Sequence, residues 1–171
     1  SDDEAVFIEP IAAACEILEQ VKLQLTDNIA VLGDGKLGLL ITMVLAQAIQ
    51  STSDKLTLIG KHPNKMKILK HLGVQLINYH SLKPCSYFDL VVEATGSPEG
   101  LALALRLIKP RGTIVLKSTF HSQLAFDPAS LVVDEITLVG SRCGRFEPAL
   151  ELLKQRRVDP TLLVQDTLPL N

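Results

Sequence analysis

Four apolar residues lead directly into three closely spaced glycines: Ile29-Ala30-Val31-Leu32 is followed by Gly33-Asp34-Gly35-Lys36-Leu37-Gly38. A short continuous apolar run is how a strand buried on both faces reads. Behind the glycines, Leu37, Leu40, Ile41, Val44 and Ala48 form one helical stripe. A G-x-G-x-x-G is weak evidence by its spacing alone, but between a buried strand and a helix it has a physical meaning. Gly33 allows the tight turn, Gly35 lets the backbone approach a pyrophosphate, and Gly38 lets the helix lie close to the sheet. The amides at the helix start then face an anion. Lys36 reads as a solvated lysine beside that anion, and Asp34 as a side chain turned away from it, capping the helix.

The rest of the chain repeats the alternation. Apolar stretches at Leu56 to Ile59, Val74 to Ile77, Leu90 to Ala94, Thr113 to Leu116 and Ile136 to Val139 read as strands. Between most of them lie helical patterns at Met66 to Leu72, Leu101 to Ile108 and Phe146 to Leu153. A further helix carrying Ile11, Cys15, Leu18 and Leu25 precedes the first strand, and Gly73, Gly96 and Gly112 mark the ends of elements. Strand and helix in alternation imply a parallel sheet. Right-handed crossovers leave little but a doubly wound one. The expectation is an α/β fold of Rossmann type, with six parallel strands in a single domain over residues 1–171.

Composition removes several other classes. Hydrophobic residues make up 47% of the 171, enough for a real core. The net charge of -2 gives no reason to expect a nucleic-acid surface. The apolar stretch from Leu37 to Ile49 is too short for a membrane span, and the acidic start, Ser1-Asp2-Asp3-Glu4, does not read as a signal peptide. Cys15, Cys85 and Cys143 are far apart and form no C-x-x-C, so a reducing cytoplasmic setting is expected.

At the end of the second strand stand Gly60-Lys61-His62, with Lys65 close behind. An NAD site wants a carboxylate there to hold the adenosine ribose, and none is present. Gly60 leaves room, while Lys61, His62 and Lys65 bring positive charge, which suits a 2′-phosphate. NADP is therefore expected over NAD.

Several further segments occur in a telling order: Glu9-Pro10-Ile11, Lys70-His71-Leu72-Gly73-Val74, Phe88-Asp89-Leu90-Val91-Val92-Glu93-Ala94-Thr95-Gly96, Pro110-Arg111-Gly112-Thr113 and Leu138-Val139-Gly140-Ser141. Together with the glycine turn they resemble the cofactor-binding domain of the medium-chain dehydrogenase/reductase family, which includes the zinc-dependent alcohol, sorbitol and threonine dehydrogenases. The resemblance implies Thr95, Gly96, Ser118, Thr119, Ser141 and Arg142 as neighbours of the nicotinamide ring. These residues also lie just past the carboxyl ends of strands, where doubly wound sheets bind ligands.

The resemblance implies a role for Glu9 as well. In the sorbitol- and threonine-dehydrogenase-like branch, a Glu-Pro pair at this distance before the first glycine belongs to the zinc sphere; a solvent-facing glutamate at a helix start is the other reading. The family's remaining zinc ligands sit in a preceding catalytic domain, for which the helix at 9–26 would be the linker. His62, His71, His80 and His121 show no ligand spacing. The chain is thus expected to be a fragment, cut at both ends and inactive alone, of a homo-oligomeric dehydrogenase acting on an alcohol or carbonyl compound. Two alternatives stay open, a zinc-free quinone-reductase-like relative and a non-catalytic nucleotide sensor. A methyltransferase is disfavoured by Gly60, where that class usually carries an acid.

Overall fold

The computed structural model describes residues 1–49, 54–83, 85–119, 127–164 and 166. Six strands form one sheet: β1 (Ile29–Leu32), β2 (Leu56–Gly60), β3 (Gln75–Asn78), β4 (Phe88–Glu93), β5 (Ile108–Leu116) and β6 (Thr137–Gly140). The order across the sheet is β3-β2-β1-β4-β5-β6, and every neighbouring pair is parallel. The chain winds outward from β1 through β2 to β3, then returns to start β4 on the other side of β1. That reversal opens a crevice at the carboxyl ends of β1 and β4, where Leu32 stands beside Glu93.

Two cores explain why the strands are apolar on both faces. Ile29 and Val31 point to one side, with Leu58, Leu90 and Val92, against α2 (Ile8–Gln20) and α3 (Lys36–Ala48). Ala30 and Leu32 point to the other, with Ile59, Val91 and Ile114, against Leu101, Ala104 and Leu107 of α5 (Pro98–Leu107). Alternate residues of a strand face opposite ways, so a strand covered on both sides is apolar along nearly its whole length. Cys15 is buried in the first core, as its place on the helix stripe predicts, and burial pushes its thiol up to about 11. The remaining helices are α1 (Asp2–Ala5), α4 (Pro63–Met66), α6 (Ala129–Val133) and α7 (Phe146–Lys154).

Several boundaries differ from the sequence expectation. The first long helix ends at Gln20, well short of 26, and Leu25 is exposed. Asp27 explains the stop: its carboxylate accepts the Gln24 N–H, and its own N–H donates to the Gln24 carbonyl, a turn that competes with helix. The pattern from Met66 to Leu72 is only the end of α4 followed by a 3₁₀ turn, Lys67–Leu72, closed by Gly73 at φ 70°. Gly112 lies inside β5 and not at its start, beside Arg111 at φ 64°, where the pairing with β4 shifts register. Helices α1 and α6 have no counterpart in the sequence reading. His121 lies outside the described residues.

The closest packing is at the glycine turn. A Cβ on Gly38 would overlap the carbonyl oxygen of Gly33. We predict that Gly38→Ala lowers unfolding free energy by about 1–3 kcal/mol, because the obstacle is backbone and cannot rotate away. Gly140→Ala, where a Cβ meets nothing within 4 Å, should be neutral or stabilise by up to about 1 kcal/mol. Urea unfolding of the two variants checks the contrast, and equal losses would refute it.

Candidate functional site

The site begins where β1 turns into α3. Gly33, at φ 113°, donates its N–H to the Ile59 carbonyl at 2.9 Å. A Cβ there would lie 2.5 Å from the Ala94 carbonyl oxygen, so the turn is wedged between β2 and β4. Gly35 caps α3 in an extended conformation, and a Cβ on it would meet nothing within 4 Å. The backbone is therefore bare at the point where the helix amides are free. Lys36 is exposed on the first turn and Leu37 is half-buried.

Beside this turn a cleft of about 190 Å³ runs across the carboxyl ends of β1, β2 and β4. Gly33, Gly35, Gly60, Lys61, His62 and Thr95 line it, together with Asp34, Tyr79 and Glu99. Six of the sequence-predicted residues thus meet around one cavity. Lys65 is not among its lining residues and stands on α4.

The Asp34 side chain does not cap α3. It is buried and turned toward the end of β2, where its carboxylate accepts the His62 N–H at 2.5 Å and lies 3.1 Å from the His62 ring Nδ1. The space above Gly60 is consequently not open: a Cβ on Gly60 would come within 2.5 Å of the Asp34 Cβ. Two side chains cannot share that spot, so glycine at 60 and aspartate at 34 are coupled. Burial alone would push the Asp34 carboxyl up, but the hydrogen bonds and charge from His62 outweigh it and hold the carboxyl below its ordinary value. Lys61 is exposed, with its ammonium 5.2 Å from the centre of the Tyr79 ring.

The residues implied as nicotinamide neighbours form a second group, linked by hydrogen bonds. The Gly96 N–H donates to Ser118 Oγ at 2.8 Å. Thr95 donates both its N–H (2.8 Å) and its hydroxyl (2.5 Å) to Oε1 of Glu93. Glu93 is fully buried, and its Oε2 has no partner among the described residues. Ser141 and Arg142 are gathered by Lys117, a buried lysine whose ammonium donates to Ser141 Oγ (3.1 Å), the Arg142 carbonyl (2.6 Å) and the Ala13 carbonyl (2.7 Å). Thr119 is exposed beyond the end of β5.

Sequence reasoning missed the turn of the Asp34 carboxylate toward the end of β2, and it gave no role to Tyr79, Glu93 or Lys117. Glu93 and Lys117 each stand at or just past the end of an otherwise apolar strand, which was the available signal.

The chain matches the family described as zinc-binding dehydrogenase over residues 37–155. It belongs to that family. It is 36% identical to glucose 1-dehydrogenase 2 of Vulcanisaeta moutnovskia over 137 residues, which are 74% of this chain and 38% of the relative. It is 23% identical to galactitol 1-phosphate 5-dehydrogenase of Escherichia coli over 177 residues, 91% of this chain and 50% of the relative. The structure of L-idonate 5-dehydrogenase from Escherichia coli superimposes with a TM-score of 0.84 at 22% identity, covering 95% of this chain and 49% of that one. The chain therefore spans about half the length, or less, of the dehydrogenases it matches.

The family's zinc finds only a partial fit. Glu9 is exposed at the start of α2, and Cys143 Sγ lies 3.7 Å from its Oε1. No group of three His, Cys, Asp or Glu side chains able to hold a metal occurs among the described residues. A structural or catalytic zinc needs three or four protein ligands, so the residues described here supply at most part of a zinc sphere.

Asp34 gives this chain a pH signature. A carboxyl held below its ordinary value adds stability that is complete above the ordinary aspartate range, about pH 4, and is lost as pH falls through the folded value. Hydrogen bonds to a charged group contribute about 1.5–3 kcal/mol, and the solvent exposure of His62 puts this pair somewhat below that range. Asp34→Asn should therefore be less stable than wild type at neutral pH by about 1 kcal/mol, with the gap closing below pH ~4. Thermal melts across that range test it; a gap that persists in acid would contradict the assignment.

Proposed function

We propose that this chain is the cofactor-holding part of a zinc-dependent alcohol or polyol dehydrogenase, which moves hydride between a nicotinamide dinucleotide and an alcohol or carbonyl substrate. The observation that carries the reading is the bare Gly35 backbone at the start of α3, set at the point where the strand order reverses. A pyrophosphate is held there by amide N–H groups and the helix dipole, with no side chain in the way. The adenosine lies in the cleft toward β2, and the nicotinamide lies toward Thr95, Gly96, Ser118, Ser141 and Arg142. The nicotinamide supplies the hydride acceptor or donor, and this chain's residues orient it.

In that arrangement the chain's work is positional. The Gly96–Ser118 hydrogen bond fixes the loop after β4 against the loop after β5. Lys117 fixes the loop after β6. Polarising the substrate oxygen falls to zinc in the intact enzyme, with Glu9 as one contributor to its sphere and the other ligands outside this chain. On this reading the chain alone binds cofactor and turns nothing over. The identity of the substrate is carried by parts of the enzyme beyond these residues.

The setting and the assembly follow the same reading. Cys15, Cys85 and Cys143 are free, which suits a reducing cytosol, and no helix among the described residues is long and apolar enough to cross a membrane. A second copy of the chain is the proposed partner at β6. Among the described residues this strand pairs only with β5, and it carries the exposed Leu138.

The test is titration of the chain with NADH and with NADPH, followed by nicotinamide fluorescence. Binding of at least one is expected, without alcohol oxidation. Gly35→Ala should fold normally, since its Cβ has space, yet lose about tenfold or more in affinity, or about 1.4 kcal/mol, because the new methyl group stands where the pyrophosphate must approach. Wild-type affinity in that variant, or no binding of either nucleotide to the native chain, would falsify the reading.

A further inference from the structure

We infer that Asp34 is the residue that selects the cofactor, and that it selects NAD over NADP. The inference rests on the dinucleotide reading above and reverses the preference expected from the sequence. That expectation had two premises: free space above Gly60, and bases at 61 and 62 available for a 2′-phosphate. The structure fills the first and gives the bases of the second standing partners. The Asp34 side chain occupies the space, with its Cβ 2.5 Å from where a Cβ of residue 60 would be. His62 is drawn onto the same carboxylate through its backbone N–H and its ring. The Lys61 ammonium stands over the Tyr79 ring and near the Glu99 carboxylate, which lies in the same cleft.

The carboxylate that an NAD site needs at the end of the second strand is therefore present, but it arrives from the glycine turn. Glycine at 60 is what lets it in. An ionised carboxyl accepts through about four lone-pair positions. The His62 contacts use part of that capacity, which leaves acceptors for the hydroxyls of an unphosphorylated adenosine ribose. A 2′-phosphate at the same place brings a charge of about −2 against a buried carboxylate. It cannot accept a hydrogen bond from that carboxylate, and it must pull His62 or Lys61 away from a standing partner. Discrimination of this kind comes from repulsion as much as from attraction.

The decisive experiment titrates wild type, Asp34→Asn and Asp34→Ala with NADH and NADPH, using circular dichroism to confirm folding and the ratio of the two dissociation constants as the readout. Wild type should bind NADH more tightly. Both variants should move the ratio toward NADPH by at least about tenfold, the change that one removed charge–charge contact of 1.4 kcal/mol produces. A purely structural role for Asp34 would weaken both nucleotides alike and leave the ratio unchanged, so an unchanged ratio overturns the inference. A wild type that prefers NADPH also overturns it, and then the basic turn governs. If wild type binds neither nucleotide, the dinucleotide reading itself fails and takes this inference with it; that result is distinct from a shifted ratio. Asp34→Ala keeps the test sound if the asparagine variant is poorly folded, because it removes the carboxylate without placing a new polar group over Gly60.

Discussion

Where β1 becomes α3, backbone packs on backbone. The Gly38 Cα faces the Gly33 carbonyl so closely that no Cβ fits between them, and Gly33 itself is held between the Ile59 and Ala94 carbonyls. This contact fixes the distance of the helix from the sheet. It lets Leu40, Ile41 and Leu45 reach full burial, and it aims the free amides of the first turn at the crevice between β1 and β4. Burying such a side chain contributes about 1.5–3 kcal/mol, so the helix is anchored by its apolar face while its amino end is positioned by two residues that lack one. The packing of the helix and the placement of its first-turn amides thus depend on the same missing atoms.

The contact between Asp34 and the end of β2 follows from that constraint. Because the turn is tight, the residue between the first two glycines has one direction open to it, toward the end of β2. A hydrophobic residue there would pack over the strand. An aspartate needs a partner and a vacancy, and His62 and Gly60 supply one each. A buried carboxylate is costly unless hydrogen-bonded, which is why the His62 amide matters more than its ring: the amide is a donor at every pH.

Most of the fold was legible because central parallel strands are covered on both faces and leave a nearly uninterrupted apolar signature. Ile29 to Leu32 and Leu56 to Ile59 are of this kind. Legibility failed where local polar contacts decide. Leu25 continues the helical stripe, yet the Asp27 turn ends the helix before it. The site divides in the same way. Gly33, Gly35 and Gly38 declare themselves because only glycine serves at that spacing. Asp34 does not, because the direction of its side chain depends on residue 60, far away in sequence and adjacent only once β1 and β2 are paired. Reading the end of β2 by itself therefore found bases without the acid that faces them. Lys117 was invisible for a related reason: its three acceptors come from α2 and from the loop after β6, and two of them are backbone carbonyls that carry no residue identity.

Lys117 ties α2 to the loop after β6. Burial lowers its ammonium's affinity for a proton, and the nearby Glu16, Cys143 and Glu9 oppose that shift. Its three hydrogen bonds tie the Ala13 carbonyl, one turn along α2 from Glu9, to Ser141 and Arg142. Gly144 reinforces the tie, for a Cβ there would overlap the Ala12 carbonyl oxygen. On the proposed function Glu9 faces the zinc, and Ser141 and Arg142 face the nicotinamide. One buried cation, assisted by one glycine, then holds the metal-side helix against the nicotinamide-side loop. Hydride transfer tolerates little error in the separation of donor and acceptor. A clamp between the elements that position each partner is what such a reaction requires of a domain that performs none of the bond-making itself.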